Sequence, residues 1–579
     1  MGKVTGPKNR RGCTHKIMTI GNVEDHQSYK HNEDSMPDLA RIGMRRREFL
    51  ALGALGSLTG LLAACQDGSL VSASPTLGTT PSSTSSPVPT RQPSPTRIPS
   101  PTSSDWSTLA ASLKGPLIRP SSSQYAVARR LFDPRFDTVT PAAIAYGISP
   151  ADVQACLAFA RRFNLPLVPR CGGHSYAGYS TTTGIVVDVT RMNTVTVNAS
   201  AGTATIGAGT RLIDVYSGLA QQGMVLPAGS CPTVGISGLT LGGGVGVIGR
   251  KYGLTCDNLL SAQVVVADGR VLTCNASSNA DLFWALRGGG GGNFGVVTSF
   301  TFRVYPVGAL SLFTLRWPWS SAATVVDAWQ HWAPQAPDEI WSNCLLQATA
   351  DKSSDPLIQV NGVYVGVVAP LNTLLAQLTN QIGVAPLSQY VWSDTVLNTM
   401  LYEAGCYQKT VGQCHLPTQD PNGQVQRDTA GAKSDYFAKI LLLQGVNNLV
   451  NAVASRHNSS LLADGGIGLD ASGGAINRVA ANATAFAHRS DLFSAQYSAS
   501  WTAGDASSIV VANAAWLSDT WNAMRPYASG AAYQNYIDPK LADWQQAYYG
   551  ANLARLQHVK AVYDSTNFFH FAQSIPVGS

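Results

Sequence analysis

Two nucleophilic side chains sit in glycine-rich settings. His174 lies in RCGGHSYAGYS (170–180), and Cys231 lies in PAGSCPTVGISGLTLGGGVG (227–246). A neutral imidazole and a thiolate both attack electron-poor carbon. Gly172 and Gly173 would let backbone amides close on an anionic group such as a phosphate. Another glycine-rich segment, RGGGGGNFGVVT (287–298), follows on the far side of SAQVVVADGRVL (261–272). Glycine segments on both sides of that stretch suggest one long ligand lying across several loops. The Gly172-Gly173 loop is not GxGxxG, and no Rossmann fingerprint follows it. Taken singly, each residue has a plainer reading. The histidine would be a hydrogen-bond partner, the cysteine a small buried hydrophobe, and the glycines turns.

The elements that must position these residues are legible. TPAAIAYG (140–147) reads as a strand. SPADVQACLAFARRFN (149–164) reads as a helix with Ser149 as N-cap and Pro150 at its first position. LPLVPR (165–170) is a second strand feeding straight into the histidine loop. GIVVDVT (184–190), TVTVNA (194–199) and TATIGAG (203–209) are further strands, a helix is expected at about 211–222, and 261–272 is a hairpin. Later, SLFTLRW (311–317), IWSNCLLQATA (340–350) and LIQVNGVYVGVV (357–368) alternate like neighbouring strands of an antiparallel sheet. PLNTLLAQLTNQIG reads as a helix, and the segments HNSSLLADGGIGLDASGGAINRV and TAFAHRSDLFSAQYSASW as strands with turns.

At 579 residues and 45% hydrophobic, the chain can bury a large core and form two domains. Its net charge is +6, but residues 1–47 carry ten Lys/Arg and five Asp/Glu, so the remainder is near neutral. A nucleic-acid partner is not expected, since phosphate neutralisation needs a basic surface. The ten cysteines show no metal-ligand spacing, so no metal site is expected. Arg46-Arg47-Glu48-Phe49-Leu50, then an apolar run ending in Leu62-Ala63-Ala64-Cys65, resembles a bacterial twin-arginine signal with a lipobox. That pattern implies an exported, extracytoplasmic protein, anchored to a bacterial membrane through a lipid on Cys65. Starts at Met36 or Met44 would give a more ordinary signal, so residues 1–43 are an N-terminal extension of uncertain translation and 44–65 the signal. Between 66 and 105, 26 of 40 residues are Ser, Thr or Pro, the composition of an extended spacer.

RCGGHSYAGYS, GSCPTVGISGLTLGGGVG, KYGLTCDNL and DLFWALRGGGGGNFGVVT, in this order, resemble the FAD-binding domain of the vanillyl-alcohol-oxidase superfamily, of the PCMH type. More narrowly, the chain resembles the berberine-bridge-enzyme-like oxidases. The stretch YQNYIDPKLADWQQAYYGANLARLQHVKAVYDSTNFFHFAQSI (533–575) is similar to that subgroup's terminal module. The resemblance covers roughly residues 120–575 and implies an α+β fold. It places a two-subdomain FAD-binding domain at 136–307, a substrate-binding domain at 308–525 with an antiparallel sheet and covering helices, and a C-terminal module at 530–575.

The resemblance also implies roles. His174 would bond the flavin 8α-methyl carbon and Cys231 ring carbon 6, both links raising the flavin's redox potential and preventing its loss outside the cell. Cys171 and Cys256 do not fall at the attachment positions. Arg170 belongs to the histidine motif, and Gly172, Gly173, Ser175 and Gly178 would wrap the pyrophosphate. Thr233, Val234, Gly235, Gly238, Gly243 and Gly244 would line the isoalloxazine and ribityl path. Val297 would bond the adenine end through its backbone. Tyr536, the second tyrosine of Y-x-N-Y, would take the substrate's hydroxyl proton while hydride leaves for flavin N5. A free tyrosine titrates near ~10 and needs help as a base, from Asp470 through a hydrogen bond or from Lys433 beside a phenolate. Tyr533 and Asn535 would point to the other side of that strand, with Asn535 touching the flavin. The expected substrate is a small molecule, with a sugar or oligosaccharide alcohol favoured, and O₂ would be reduced to H₂O₂. Trp501, Trp516 and Trp521 would offer stacking platforms. A phenolic alcohol or secondary metabolite would use the same flavin residues, and a non-catalytic binding lipoprotein is the remaining alternative.

Overall fold

The computed structural model describes residues 99–349, 351–461, 464–502 and 504–578. The expected extension, signal and lipid anchor lie outside them, as does the spacer up to residue 98. The expected spacer boundary at residue 105 falls inside a helix, Ser103–Ser112, which Thr102 caps in a reciprocal box with Asp105.

The β-α-β opening forms where its local signals put it. Strand β1 (Leu117–Ile118) pairs antiparallel with β2 (Ala143–Tyr146). Helix Pro150–Arg162 begins at Ser149, whose hydroxyl accepts from the Asp152 N–H, a cap worth about 1 kcal/mol. It leads to β3 (Leu167–Arg170), and β4 (Ile185–Asp188) lies parallel between β2 and β3. A five-stranded antiparallel sheet follows, from β5 (Val195–Asn198), β6 (Thr203–Gly207), β8 (Leu259–Val265), β9 (Val271–Asn275) and β10 (Val296–Arg303), ordered β5-β6-β10-β8-β9. Between β6 and β8 run helix Leu212–Ala220, the short β7 (Met224–Val225) and helix Ile236–Leu241. β7 pairs with β11 (Tyr305–Pro306).

The seven-stranded sheet contains β12 (Leu310–Trp317), β13 (Ile340–Ala348), β14 (Leu357–Val365), β15 (Ser388–Asp394), β16 (Thr429–Phe437), β17 (Gly465–Ala471) and β18 (Phe493–Trp501). Its order is β15-β12-β14-β13-β17-β18-β16, antiparallel throughout. Alternation along the strands explains how it works. Cys344, Leu346, Ile467, Leu469, Ala495 and Tyr497 pack under helices Ala322–Trp332, Val368–Ile382, Leu443–His457 and Ser507–Met524. Their neighbours Asn343, Leu345, Gly468, Asp470, Gln496 and Ser498 face the other way and line a cavity. The chain's last segment does not stand apart. Ala547, Tyr548, Leu556, Phe569 and Ile575 share one core with Val187, Ile206, Val264 and Phe302.

Candidate active site

One cavity of about 580 Å³ collects most of the residues singled out by sequence. Its wall includes Arg170, Gly172, Gly173, His174, Ser175, Cys231, Thr233, Val234, Gly235, Gly238, Val297, Asp470, Tyr533, Asn535 and Tyr536.

Arg170 ends β3 opposite Asp188 of β4. Its Nε donates to Asp188 Oδ2 at 2.7 Å and its Nη2 to the Ala128 carbonyl at 2.6 Å. Nη1 is buried with no protein acceptor, a donor that an anionic ligand group would satisfy. The next loop carries His174. Its Nε2 lies 2.8 Å from Thr233 Oγ1, and its ring stacks on Phe132 with centroids 4.0 Å apart. Burial, with Arg211 adding to it, pushes the imidazole down to about 3, so the ring is neutral. Cys231 is the exposed cysteine among the described residues. Cys171 differs: burial pushes its thiol up to about 12, where it is an inert packing group.

The glycines divide into two groups. A Cβ on Gly238 would meet nothing within 4 Å, and on Gly291 only atoms 3.7 Å or more away, although both line the cavity. These two leave room for a ligand. Gly243 and Gly244, expected along the ligand path, do not line the cavity. At φ +117° and +87° they turn the chain against Phe486 and Thr255, and the Gly244 N–H donates to Tyr533 Oη at 3.0 Å. Gly178 is likewise a turn residue, at φ +74° against the Phe136 ring.

The Y-x-N-Y segment is not a strand. Gln534–Tyr536 is a turn of 3₁₀ helix, so Tyr533 and Asn535 do not alternate away from Tyr536. Asn535 Nδ2 donates to Tyr533 Oη at 2.9 Å and to the Leu239 carbonyl at 3.0 Å. Tyr536 meets Tyr533 edge-on and lies nearly parallel to Tyr176, with centroids 4.9 Å and 5.8 Å away. Burial, then the Asp470 charge, pushes the Tyr536 phenol well above 10. It is therefore protonated at rest. Asp470 accepts from Asn343 Nδ2 at 2.7 Å.

Lys433 is not where the expectation put it. Ala432 lines the cavity, so its neighbour in β16 faces away. Lys433 Nζ instead bonds Asp538 Oδ2 at 2.5 Å and sits over the Trp521 ring. Trp501, Trp516 and Trp521 do not line the cavity either. Trp516 is held by the Ala452 carbonyl, and Trp501 lies against Gly431.

Several cavity residues escaped the sequence reading. Tyr176 carried a signal, as an aromatic two positions after His174 in the glycine loop. Gln496, which donates to Tyr176 Oη at 3.2 Å, and Asn343 carried none. Glu403 and Asp428 also line the wall. Burial, aided by Asp133, pushes the Asp428 carboxyl up to about 7.

An orphaned buried guanidinium nitrogen, glycines that leave space and a neutral imidazole fit a flavin dinucleotide. Family models match here as an FAD binding domain over residues 141–275 and as a berberine and berberine-like module over residues 532–576. The uncharacterized FAD-linked oxidoreductase YgaK of Bacillus subtilis (strain 168) is 32% identical over 442 residues, 75% of this chain and 91% of the relative. The solved structure of Physcomitrella patens BBE-like 1 is 33% identical with a TM-score of 0.74, covering 82% of this chain and 99% of that one. The xylooligosaccharide oxidase from Myceliophthora thermophila C1, solved in complex with xylobiose, is 26% identical with a TM-score of 0.72, at 82% and 99% coverage. Fold and site together define an FAD-linked oxidoreductase. The chain belongs to the berberine-bridge-enzyme-like family.

Proposed function

We propose that this protein is an oxidase of a sugar or oligosaccharide alcohol, holding FAD covalently through both His174 and Cys231 and passing electrons to O₂ to give H₂O₂. The observation carrying this reading is that His174, Cys231, Asp470 and Tyr536, from four separate segments, line one cavity. When bound, FAD supplies the hydride acceptor. His174 is a neutral nucleophile, and Cys231 is the accessible thiol. Arg170 Nη1 and the amides of Gly172 and Gly173 would hold the pyrophosphate, with Ser175 beside them. Thr233, Val234, Gly235 and Gly238 would flank the ring and ribityl chain, Asn535 would touch the ring, and Val297 would meet the adenine end.

Tyr536 orients the substrate hydroxyl and receives its proton. Because the phenol is protonated at rest, it acts as a base only by passing its own proton on, and Asp470 is the acceptor at hand. The wall opposite the glycine loops carries Asn343, Gln496 and Ser498. Such amides and hydroxyls suit a hydroxyl-rich substrate better than an apolar one. The likeness to an oxidase seen with xylobiose points the same way.

We place the protein outside the cytoplasm, anchored through Cys65. The Cys406–Cys414 disulfide supports an oxidising compartment independently of the signal. No helix among the described residues is long and apolar enough to cross a membrane. The domain division at 136–307, 308–525 and 530–575 is part of this proposal. The test is peroxide release with xylobiose, other oligosaccharides and aromatic alcohols. Tyr536→Phe should stay yellow and lose roughly 10²- to 10⁴-fold in rate. A variant retaining the full rate, or a preference for aromatic alcohols over every sugar, overturns the corresponding part.

A further inference from the structure

A row of polar side chains crosses the cavity-facing side of the seven-stranded sheet and ends on Asp470. Asp470 of β17, Asn343 of β13, Asn361 of β14 and Thr314 of β12 lie directly opposite one another in register. Gln359 and Arg316 face each other two residues along strands β14 and β12, on the same side. Arg316 Nε donates to Gln359 Oε1 at 2.7 Å, the Gln359 amide donates to Asn361 Oδ1, and Asn343 Nδ2 donates to Asp470 Oδ1 at 2.7 Å. Asn343, Gln359 and Asn361 are 4%, 7% and 9% exposed.

Burying three amides is costly unless each is satisfied. Here Arg316 donates to Gln359 and Gln359 to Asn361, while Asn343, the cross-strand neighbour of Asn361, donates to Asp470, an alignment in which neighbouring dipoles strengthen one another. Titratable groups lining the cavities with Asp470 include Tyr536 and Tyr176, Tyr436 on β16 and His488, with Tyr533, His174, Cys231, Glu403 and Asp428 elsewhere on the larger wall. Burial pushes the phenols of Tyr536, Tyr176 and Tyr436 up and His488 down to about 4, so these four are neutral. The cation on the larger cavity's wall, Arg170, is held by Asp188. Asn343 donates directly to the Asp470 carboxylate and so favours its charged form.

We propose that Asn343, backed by Asn361, Gln359 and Arg316, is a positioning residue that fixes the Asp470 carboxylate in its charged form for proton exchange with Tyr536. This rests on the proton path proposed above. In that step an O–H bond forms at Tyr536 with the substrate's proton while the original Tyr536 O–H breaks. Its proton joins Asp470, which must arrive unprotonated, and no protein group changes oxidation state.

The test is the pH dependence of kcat for holoenzyme carrying Asn343→Leu, Asn343→His or Gln359→Leu, with flavin content and substrate KM measured alongside. Asn343→Leu should lower kcat by roughly 10-fold or more and move the acid limb of the profile up by about one pH unit, since a hydrogen bond to the charged form favours that form. KM should change less than kcat. Gln359→Leu, away from the cavity wall, should move the limb the same way by less. Asn343→His, which keeps a donor, should restore most of it. An unmoved acid limb in both leucine variants, with full flavin content, overturns the proposal. Asp470→Asn separates the two ideas. If it keeps the wild-type rate, the proton path itself fails. If it is slow while the leucine variants keep a normal profile, only the positioning role fails.

Discussion

Thr233→Val isolates what the fold does for flavin attachment through His174. The substitution removes the hydroxyl of Thr233, a residue 1% exposed, 2.8 Å from His174 Nε2, and leaves the Phe132 stack in place. That contact fixes the ring's rotation. When Nε2 donates to Thr233, the lone pair sits on Nδ1, and an imidazole held neutral keeps it available. Losing a buried hydrogen bond and leaving its partner unsatisfied costs about 1–3 kcal/mol. At about 1.4 kcal/mol per factor of ten, attachment should slow by roughly 5- to 150-fold. The assay adds FAD to apoprotein in a Cys231→Ala background, so that only the histidine link is scored, and follows acid-insoluble flavin with time. A rate within about twofold of the Thr233 protein would refute this account of how the ring is held.

Three further outcomes follow from the geometry. Gly238→Leu adds a side chain into open space, so the fold should survive with Tm little changed while flavin stoichiometry falls sharply; unchanged flavin loading would place the ligand elsewhere. Lys433→Met strips Asp538 of its buried partner and should cost about 3–5 kcal/mol by denaturant unfolding; kcat per bound flavin should stay within about twofold, because the lysine faces away from the cavity, and a collapse of kcat would return it to the site. Asp428→Asn tests a buried carboxyl whose folded value, about 7, lies above its unfolded value of 3.8. The fold favours the protonated form, so stability is lost as pH rises between those values and the full penalty is present above 7. The variant should gain Tm over wild type at pH 8 and not at pH 3.5, and equal Tm at pH 8 would contradict the burial argument.

The first half of the fold was open to sequence reading because its signals are local. Ser149 and Pro150 announce a helix start, and the runs IVV, VTV and ATI alternate or stay apolar as strands do. β16, TAGAKSDYF, gave no such pattern. One of its faces is small and polar, with Ala430, Ala432 and Ser434, and the other carries Lys433 and Asp435, which are neutralised by Asp538 and Arg525 from distant segments. Without the strand, the side on which Lys433 emerges had no reference. β15 was missed for a related reason, since an edge strand half open to solvent lacks an apolar face. Y-x-N-Y, expected as a strand, is a 3₁₀ turn whose bonds are made to Gly244, Val245 and Leu239, far away in sequence. Asn343 and Gln496 had no local signal at all. A polar residue in an alternating strand reads as solvent-facing until the second surface over the sheet is known.

The central claim is that one flavin is tied to this chain at two points. Its most direct test is mass spectrometry of a proteolytic digest of the purified yellow protein. The account predicts that the peptides bearing His174 and Cys231 are recovered as a single species whose mass includes both peptides and one flavin. Yellow protein yielding both peptides separately and at unmodified mass would contradict it.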